Sequence, residues 1–403
     1  MNTTMLLDSW TKVGSDFEEF ARLIKDIDAS TSIIPIETDA LSLFSVIGSS
    51  SEALNLLVFN ADLADLRTPP ATSRIRIDAI TEKGGTQEFL DEIMSTALII
   101  GTDGLNKIMF TSHGLTRDLG ARAQITGNGL IQATPERSAF LAHRYVASPC
   151  NANFIIRSNT SDSGRLKKIF AMPSAGYRYI PQSTLLEIAD YFKDEMGGFE
   201  SIHWEVSHNV SQIWLEFPKQ AEDIAEVYKL PHSMVPGVLL ETSDTGDCAL
   251  KVIPTWKRAG GRSYLRAGEY KREHKGSSDL ADITEKVKST VFSVYTKLPE
   301  RLCDLLSIDI PKPVPFWEVL FETVNIKSII GKRRYTELLD AVQCEMNPAL
   351  HYTAYDFAMR FSDLPAIFKD NWLREQLEAL AYNVPFCDFN KMLKKADPLL
   401  LSA

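Results

Sequence analysis

Two short, mainly apolar runs that flank a turn sequence place the strongest constraint on the fold of this chain. Residues 238–240 and 249–253 form the runs, and residues 243–247 between them read Ser-Asp-Thr-Gly-Asp. Short polar side chains that bond to their own backbone, together with a glycine, favour a turn. Two such runs around a turn predict an antiparallel hairpin, so we expect an antiparallel sheet in the middle of the chain.

The segment that follows this hairpin concentrates positive charge. Residues 257–275 contain seven Lys or Arg against two Glu, a net charge of +5, although the whole chain carries −10. Cations neutralise phosphates and aromatic rings stack on bases, so this segment predicts binding of single-stranded nucleic acid. The predicted contacts are Lys257, Arg258, Arg262, Arg266, Lys271, Arg272 and Lys275, with Trp256, Tyr264 and Tyr270 as the aromatic partners.

The same segment has two other interpretations. A run of charge is often a solvated face of a protein whose aromatic side chains are partly core. Alternatively, the segment docks on an acidic surface, because residues 1–100 carry a net charge of −9 and residues 251–300 carry +5. This opposition of charge predicts a homo-oligomer.

Composition and cysteine usage indicate the compartment. The 403 residues are 44% apolar, and the five cysteines are scattered without a C-x-x-C pair, which is typical of reduced thiols. No run approaches the ~18–20 apolar residues of a membrane span, and the first residues lack a basic and apolar leader. We therefore expect a protein of the host cytoplasm or of a virion, without a membrane partner.

The order of the predicted elements gives an α+β fold with an all-helical C-terminal domain. Apolar spacings of three and four predict helices at residues 5–28 and 39–47, and alternation predicts a strand at 74–80 and a hairpin at 200–217. Prolines punctuate residues 311–315, and helical patterns follow. We predict an acidic N-terminal α/β region at 1–110, an antiparallel-sheet α+β core at 111–310, and helices at 311–403.

Motifs of known chemistry are absent from the sequence. There is no Walker A loop, no G-x-S-x-G, no H-E-x-x-H and no zinc-type spacing, so we predict no catalytic residue, metal or cofactor. The acidic residues Glu241, Asp244 and Asp247 are candidate oxygen ligands for a cation, with solvated turn carboxylates as the alternative.

Two stretches resemble a known family. Residues 154–192 read as a strand, a polar turn and a Tyr-Arg pair before a helix, and residues 236–276 read as the hairpin and basic segment. Over about residues 110–300, this arrangement is similar to a phage- and plasmid-encoded family classed as a domain of unknown function. The resemblance implies a mobile-element origin and no known catalytic activity. The matching residues are Arg157, Tyr177, Arg178, Ser243, Asp244, Gly246, His274 and Gly276.

Two functions follow as hypotheses. The first is a non-enzymatic phage or mobile-element protein that binds single-stranded nucleic acid during replication or recombination. The alternative is a structural or assembly protein of a phage, such as a capsid-associated or ring-forming subunit.

Overall fold

The computed structural model describes residues 10–37 and 176–397, with gaps at 208, 246–247, 262, 275–279 and 348. Between these ranges it describes residue 173 and six strands. The six strands are β3 (Ser42–Ile47), β4 (Ala53–Val58), β5 (Arg74–Arg76), β6 (Leu98–Ile99), β7 (Asn151–Ser158) and β8 (Lys167–Ala171).

A seven-stranded antiparallel sheet forms the centre of the described structure. Its strands are β1 (Thr11–Gly14), β9 (Glu200–Ser207), β10 (Ser211–Glu216), β11 (Met234–Thr242), β12 (Leu250–Arg258), β13 (Tyr264–Arg266) and β14 (Tyr270–Arg272). The order is β1-β9-β10-β11-β12-β13, and β14 also pairs with β12. The hairpin predicted around residues 243–247 is β11–β12, with Leu239 opposite Ile253, and the predicted hairpin at 200–217 is β9–β10. Both predictions are confirmed.

Two smaller sheets use the remaining strands. One has the order β2-β7-β8, in which β2 (Thr31–Glu37) runs antiparallel to β7. The other has the order β5-β3-β4-β6, in which β3 and β5 are parallel.

Nine α-helices are present in the described residues. They are α1 (Phe17–Ser30), α2 (Thr184–Glu195), α3 (Pro218–Tyr228), α4 (Leu280–Leu306), α5 (Pro313–Thr323), α6 (Lys327–Cys344), α7 (Ala354–Asp363), α8 (Asn371–Asn383) and α9 (Phe389–Ala396). An antiparallel sheet with helices therefore occupies the middle of the chain and residues 291–397 are helical, which confirms the predicted fold class. None of the helices in the described part is long and apolar enough to cross a membrane.

Alternate residues of β10 are buried, as the period of two requires for a strand with one face on the core, whereas β11 and β12 are buried on both faces over their middle residues. Trp204 of β9 lies 5.9 Å from Phe20 of α1 between ring centroids, and Trp256 of β12 meets Tyr295 of α4 edge-on at 5.5 Å. Full burial of each large side chain stabilises the fold by about 1.5–3 kcal/mol. Helices α1 and α4 are thus held against the inner face of the sheet.

The helix predicted at residues 5–28 is wrong in its first part. In the described residues, Thr11–Gly14 is an edge strand paired with β9, and α1 begins only at Phe17. A Cβ atom on Gly14 would lie 2.3 Å from the Trp204 ring, so this close approach requires glycine. Asp16 then caps α1, because its side chain accepts a hydrogen bond from Glu19 N–H at 2.7 Å.

The short helix predicted at residues 39–47 is also wrong, because residues 42–47 form β3. This strand pairs with β4 and β5. A short apolar run is compatible with either a helix or a strand, so here the pairing with other strands decides its conformation. Residues 74–76 of the strand predicted at 74–80 form β5, and residues 77–80 lie outside the described residues.

Backbone bonds hold the proline-rich segment near the predicted domain boundary. Ile310 N–H donates to Tyr352 O at 2.8 Å, and Ala354 N–H donates to Ile308 O at 2.8 Å. Ile310 is also buried, and one apolar core continues from the sheet into the C-terminal helices. The division into residues 1–110, 111–310 and 311–403 stays a prediction.

Candidate nucleic-acid interface

The predicted basic segment lies on three strands at one end of the central sheet. Successive side chains of a strand point to opposite faces, so the segment divides between the core and two separate surfaces. Arg262 and Lys275 lie outside the described residues, and the other eight predicted residues are described.

Trp256 was expected to stack on a base, and the structure corrects this expectation. Its side chain is 0% exposed and packs at 89° against the Tyr295 ring. A base could reach the indole only if the core opened. Trp256 is therefore a core residue of this fold.

Lys257 and Tyr264 lie side by side on the outer face of the sheet and share an acidic partner. Lys257 Nζ is 3.3 Å from Glu216 Oε1, and the Tyr264 hydroxyl donates to the same oxygen at 3.1 Å. Burial, and next the Glu216 carboxylate, raise the pKa of Tyr264 above its ordinary value. The phenol therefore stays protonated and acts as a donor.

Arg258 turns towards the C-terminal helices. Its Nη2 atom lies 2.7 Å from Asp363 Oδ2, a residue 105 positions further along the chain at the end of α7. This cation is therefore part of the contact between the sheet and the helices, away from the outer face.

Glu378 of α8 is the main partner of Arg266. The Glu378 side chain is buried, and its carboxylate accepts from Arg266 Nε at 2.8 Å, Arg374 Nε at 3.1 Å and the Tyr264 backbone N–H at 3.3 Å. Glu375 lies 3.6 Å from Arg266 Nη2. A hydrogen-bonded carboxylate at this position fixes α8 on β13.

The residues of β14 differ in exposure. Tyr270 is half-buried and packs on the core, and Arg272 is partly buried. Lys271 is exposed opposite Lys251 and makes no ion pair with any described residue. Within the described part of the predicted set, Lys271 is thus a side chain that is accessible to a ligand in solvent.

An open groove of about 240 Å³ lies between the outer face of the sheet and α8. Tyr264 and Arg266, both predicted from sequence, line it together with Trp214, His203 and Arg374, which sequence reasoning missed. Trp214 is half-buried, opposite His203 in the β9–β10 register, with ring centroids 5.3 Å apart. Ile213 and Leu215, on either side of Trp214 in β10, point to the core. The period of two along a strand could therefore have placed Trp214 on the outer face.

The groove carries charges of both signs. Three carboxylates, those of Glu205, Glu375 and Glu378, line it with two guanidinium groups, and the amides of Gln212 and Asn371 add neutral donors and acceptors. The site is therefore polar and aromatic, but it is not a cationic channel. It suits a ligand that offers a flat ring and a hydrogen-bonding edge.

Residues that carry the family resemblance meet at one buried junction. Arg157 Nη2 donates to both Asp244 oxygens at 2.6 and 2.7 Å, and both side chains are fully buried. The Tyr177 hydroxyl donates to the Asp244 backbone oxygen at 3.0 Å, and the His274 ring stacks on Tyr177 at 4.7 Å. The junction joins β7 to the turn after β11.

Two of the three candidate oxygen ligands for a cation have basic partners within the protein. Asp244 is bonded to Arg157, Glu241 is paired with Lys251 at 2.6 Å, and Asp247 lies outside the described residues. Across the residues that are described, no group of three or more His, Cys, Asp or Glu side chains is placed to hold a metal ion.

Comparisons with protein-family models, curated proteins and solved structures find no match to this chain. The resemblance of residues 110–300 to a phage and plasmid family therefore stays a prediction.

Proposed function

We propose that the protein binds single-stranded nucleic acid, without catalysis, in the groove between the sheet and α8. The observation that carries this proposal is the half-buried indole of Trp214 in a groove shared with Tyr264, Arg266 and Arg374. Stacking of a base on an aromatic ring contributes about 1–3 kcal/mol and tolerates any sequence. In keeping with the family resemblance, we assign the protein to a phage or other mobile element.

The ion pairs of the basic segment change the expected mode of binding. Lys257, Arg258 and Arg266 each have a carboxylate partner within the chain, so they have little charge left for phosphates. Four phosphate contacts would give a slope of log affinity against log salt of about −3, at about −0.7 per contact. One or two contacts give about −0.7 to −1.4, and stacking then supplies most of the affinity.

Fluorescence anisotropy with a labelled single-stranded oligonucleotide at ~50 mM salt tests the proposal. We expect Trp214→Ala to weaken binding by about 1–3 kcal/mol, and Trp214→Phe to retain most of the affinity because it keeps a ring. The salt slope should be unchanged in both variants. Equal affinity of wild type and Trp214→Ala would exclude the groove as the site.

A second candidate function is assembly, and a specific observation favours it. Two large apolar side chains near the start of α8, Ile367 and Trp372, are 63% and 62% exposed. Exposed apolar surface of this kind is a feature of protein interfaces. Mass photometry at two salt concentrations, with and without oligonucleotide, separates a homo-oligomer from a nucleic-acid complex.

A further inference from the structure

The carboxylates and guanidinium groups that line the groove between the sheet and α8 do not cancel. Glu378 accepts from Arg266 at 2.8 Å and from Arg374 at 3.1 Å, and Glu375 lies 3.6 Å from Arg266. These two carboxylates and two guanidinium groups balance each other. Glu205, on the sheet side, is the third carboxylate of the groove, and it makes no ion pair with any described residue. The groove therefore has an excess of negative charge at Glu205.

The Glu205 carboxylate is placed beside the exposed side of the Trp214 indole. Glu205 lies opposite Gln212 in the β9–β10 register, and Trp214 is two residues further along β10 on the same face of the sheet. Such diagonal neighbours are about 7–8 Å apart, so a base stacked on the indole brings its edge to this carboxylate.

Glu205 keeps capacity to accept hydrogen bonds in this position. The side chain is half-buried, and its described partner is the amide of Gln212, whose Nε2 donates to Glu205 Oε2 at 3.3 Å. That distance is long for a hydrogen bond, and the donor is neutral. A carboxylate has about four acceptor positions on its two oxygens, so further N–H donors can bind here.

A carboxylate selects which part of a nucleic acid can lie next to it, because it repels phosphate and accepts from N–H groups. Guanine presents two neighbouring donors on one edge, N1–H and N2–H, and these match the two oxygens of a carboxylate in parallel. Adenine and cytosine present one amino group beside an acceptor nitrogen. Thymine presents one N–H between two carbonyl oxygens, which a carboxylate repels.

We propose that Glu205 makes the groove selective for guanine in a single strand, which rests on the proposed function of this groove. The guanine ring stacks on Trp214, and its N1–H and N2–H groups donate to the Glu205 carboxylate. The Gln212 amide orients that carboxylate from the neighbouring strand. The phosphates of the bound strand lie away from Glu205.

Competition against a labelled strand, followed by fluorescence anisotropy at ~50 mM salt, measures the selectivity. The competitors are pentadeoxynucleotides with two thymines on each side of a central guanine, hypoxanthine, adenine, cytosine or thymine. We expect the guanine strand to bind about tenfold more tightly than the thymine strand, because a bidentate contact to a base gives discrimination of about this size. Hypoxanthine lacks only the 2-amino group of guanine, so its strand should bind about threefold more weakly than the guanine strand.

Glu205→Gln tests whether this side chain reads the base. The amide has one oxygen and no charge, so the guanine strand should bind within about twofold of the thymine strand. The matched control is Glu241→Gln, which makes the same change in charge opposite Gln212 on the next strand. Glu241 is paired with Lys251 and does not line the groove, so this variant should keep the wild-type order of the five strands.

The outcomes separate this inference from the proposed function. Equal binding of the five strands by a wild type whose affinity falls in Trp214→Ala would overturn the guanine selectivity and leave the groove as the nucleic-acid site. A guanine preference that persists in Glu205→Gln would overturn the assignment to Glu205. Absence of binding of every strand by the wild type would overturn the proposed function and the selectivity together. Each ratio compares strands on one protein preparation, so partial unfolding of a variant does not change it.

Discussion

Replacing Glu378 with glutamine is the perturbation that most directly tests how the helices are joined to the sheet. Glu378 is 1% exposed and accepts three hydrogen bonds, two from guanidinium groups and one from the backbone of β13. The glutamine keeps one oxygen for the Tyr264 N–H, but it loses the charge that balances Arg266, whose side chain is mostly buried.

The cost follows from the burial of the pair. Removal of one partner from a buried ion pair costs about 3–5 kcal/mol. The nearby Glu375 partly compensates the Arg266 charge, so the loss in Glu378→Gln should fall below this range, to about 2–3 kcal/mol. Equilibrium urea unfolding measures the change. The matched control is Glu375→Gln on the same helix, whose exposed pair contributes at most about 1 kcal/mol.

The two variants also make the same change in groove charge, +1. If nucleic acid binds in the groove, both should bind an oligonucleotide more tightly, although only Glu378→Gln should lose substantial stability. A loss of stability in Glu378→Gln no greater than that in Glu375→Gln would refute the assignment of Glu378 as the buried acceptor.

Three further outcomes follow from the structure. Asp244→Asn should destabilise the protein by about 3–5 kcal/mol because it leaves the Arg157 charge buried, and a double-mutant cycle with Arg157→Met should show a large coupling energy in urea unfolding. Burial raises the pKa of Tyr355 to about 12, above its ordinary value of 10.0. The contribution of this pKa shift to the free energy of unfolding is therefore present below pH 10 and is lost as the pH rises towards 12. The difference between the unfolding midpoints at pH 9 and pH 11 should be smaller in Tyr355→Phe than in wild type. Gly14→Ala should lower thermal stability by about 1–3 kcal/mol through a clash with Trp204, and an unchanged melting temperature would contradict that packing.

The hairpins and most of the helices could be predicted because their signals are local. The turn at residues 243–247 and the alternation in β9 and β10 depend on neighbouring residues, and the structure contains both hairpins. The edge strand at residues 11–14 could not be predicted in the same way. Its conformation depends on pairing with β9, almost 200 residues away, and on the contact between Gly14 and Trp204.

The candidate site was predicted only in part, for a related reason. Local sequence shows where cations are concentrated, but it does not show which carboxylates neutralise them. The partners of Arg258 and Arg266 are 105 and 112 positions further along the chain. The burial of Trp256 could not be predicted from local sequence either, because it depends on packing against Tyr295 of a later helix.

The measurement that tests the central claim most directly is the salt dependence of oligonucleotide binding by wild type and Trp214→Ala. We expect measurable affinity for single strands at ~50 mM salt and a slope of log affinity against log salt of about −0.7 to −1.4. Trp214→Ala should lose about 1–3 kcal/mol of binding free energy at an unchanged slope. No measurable affinity of the wild type at ~50 mM salt would contradict nucleic-acid binding, and a slope near −3 with no effect of Trp214→Ala would contradict the groove.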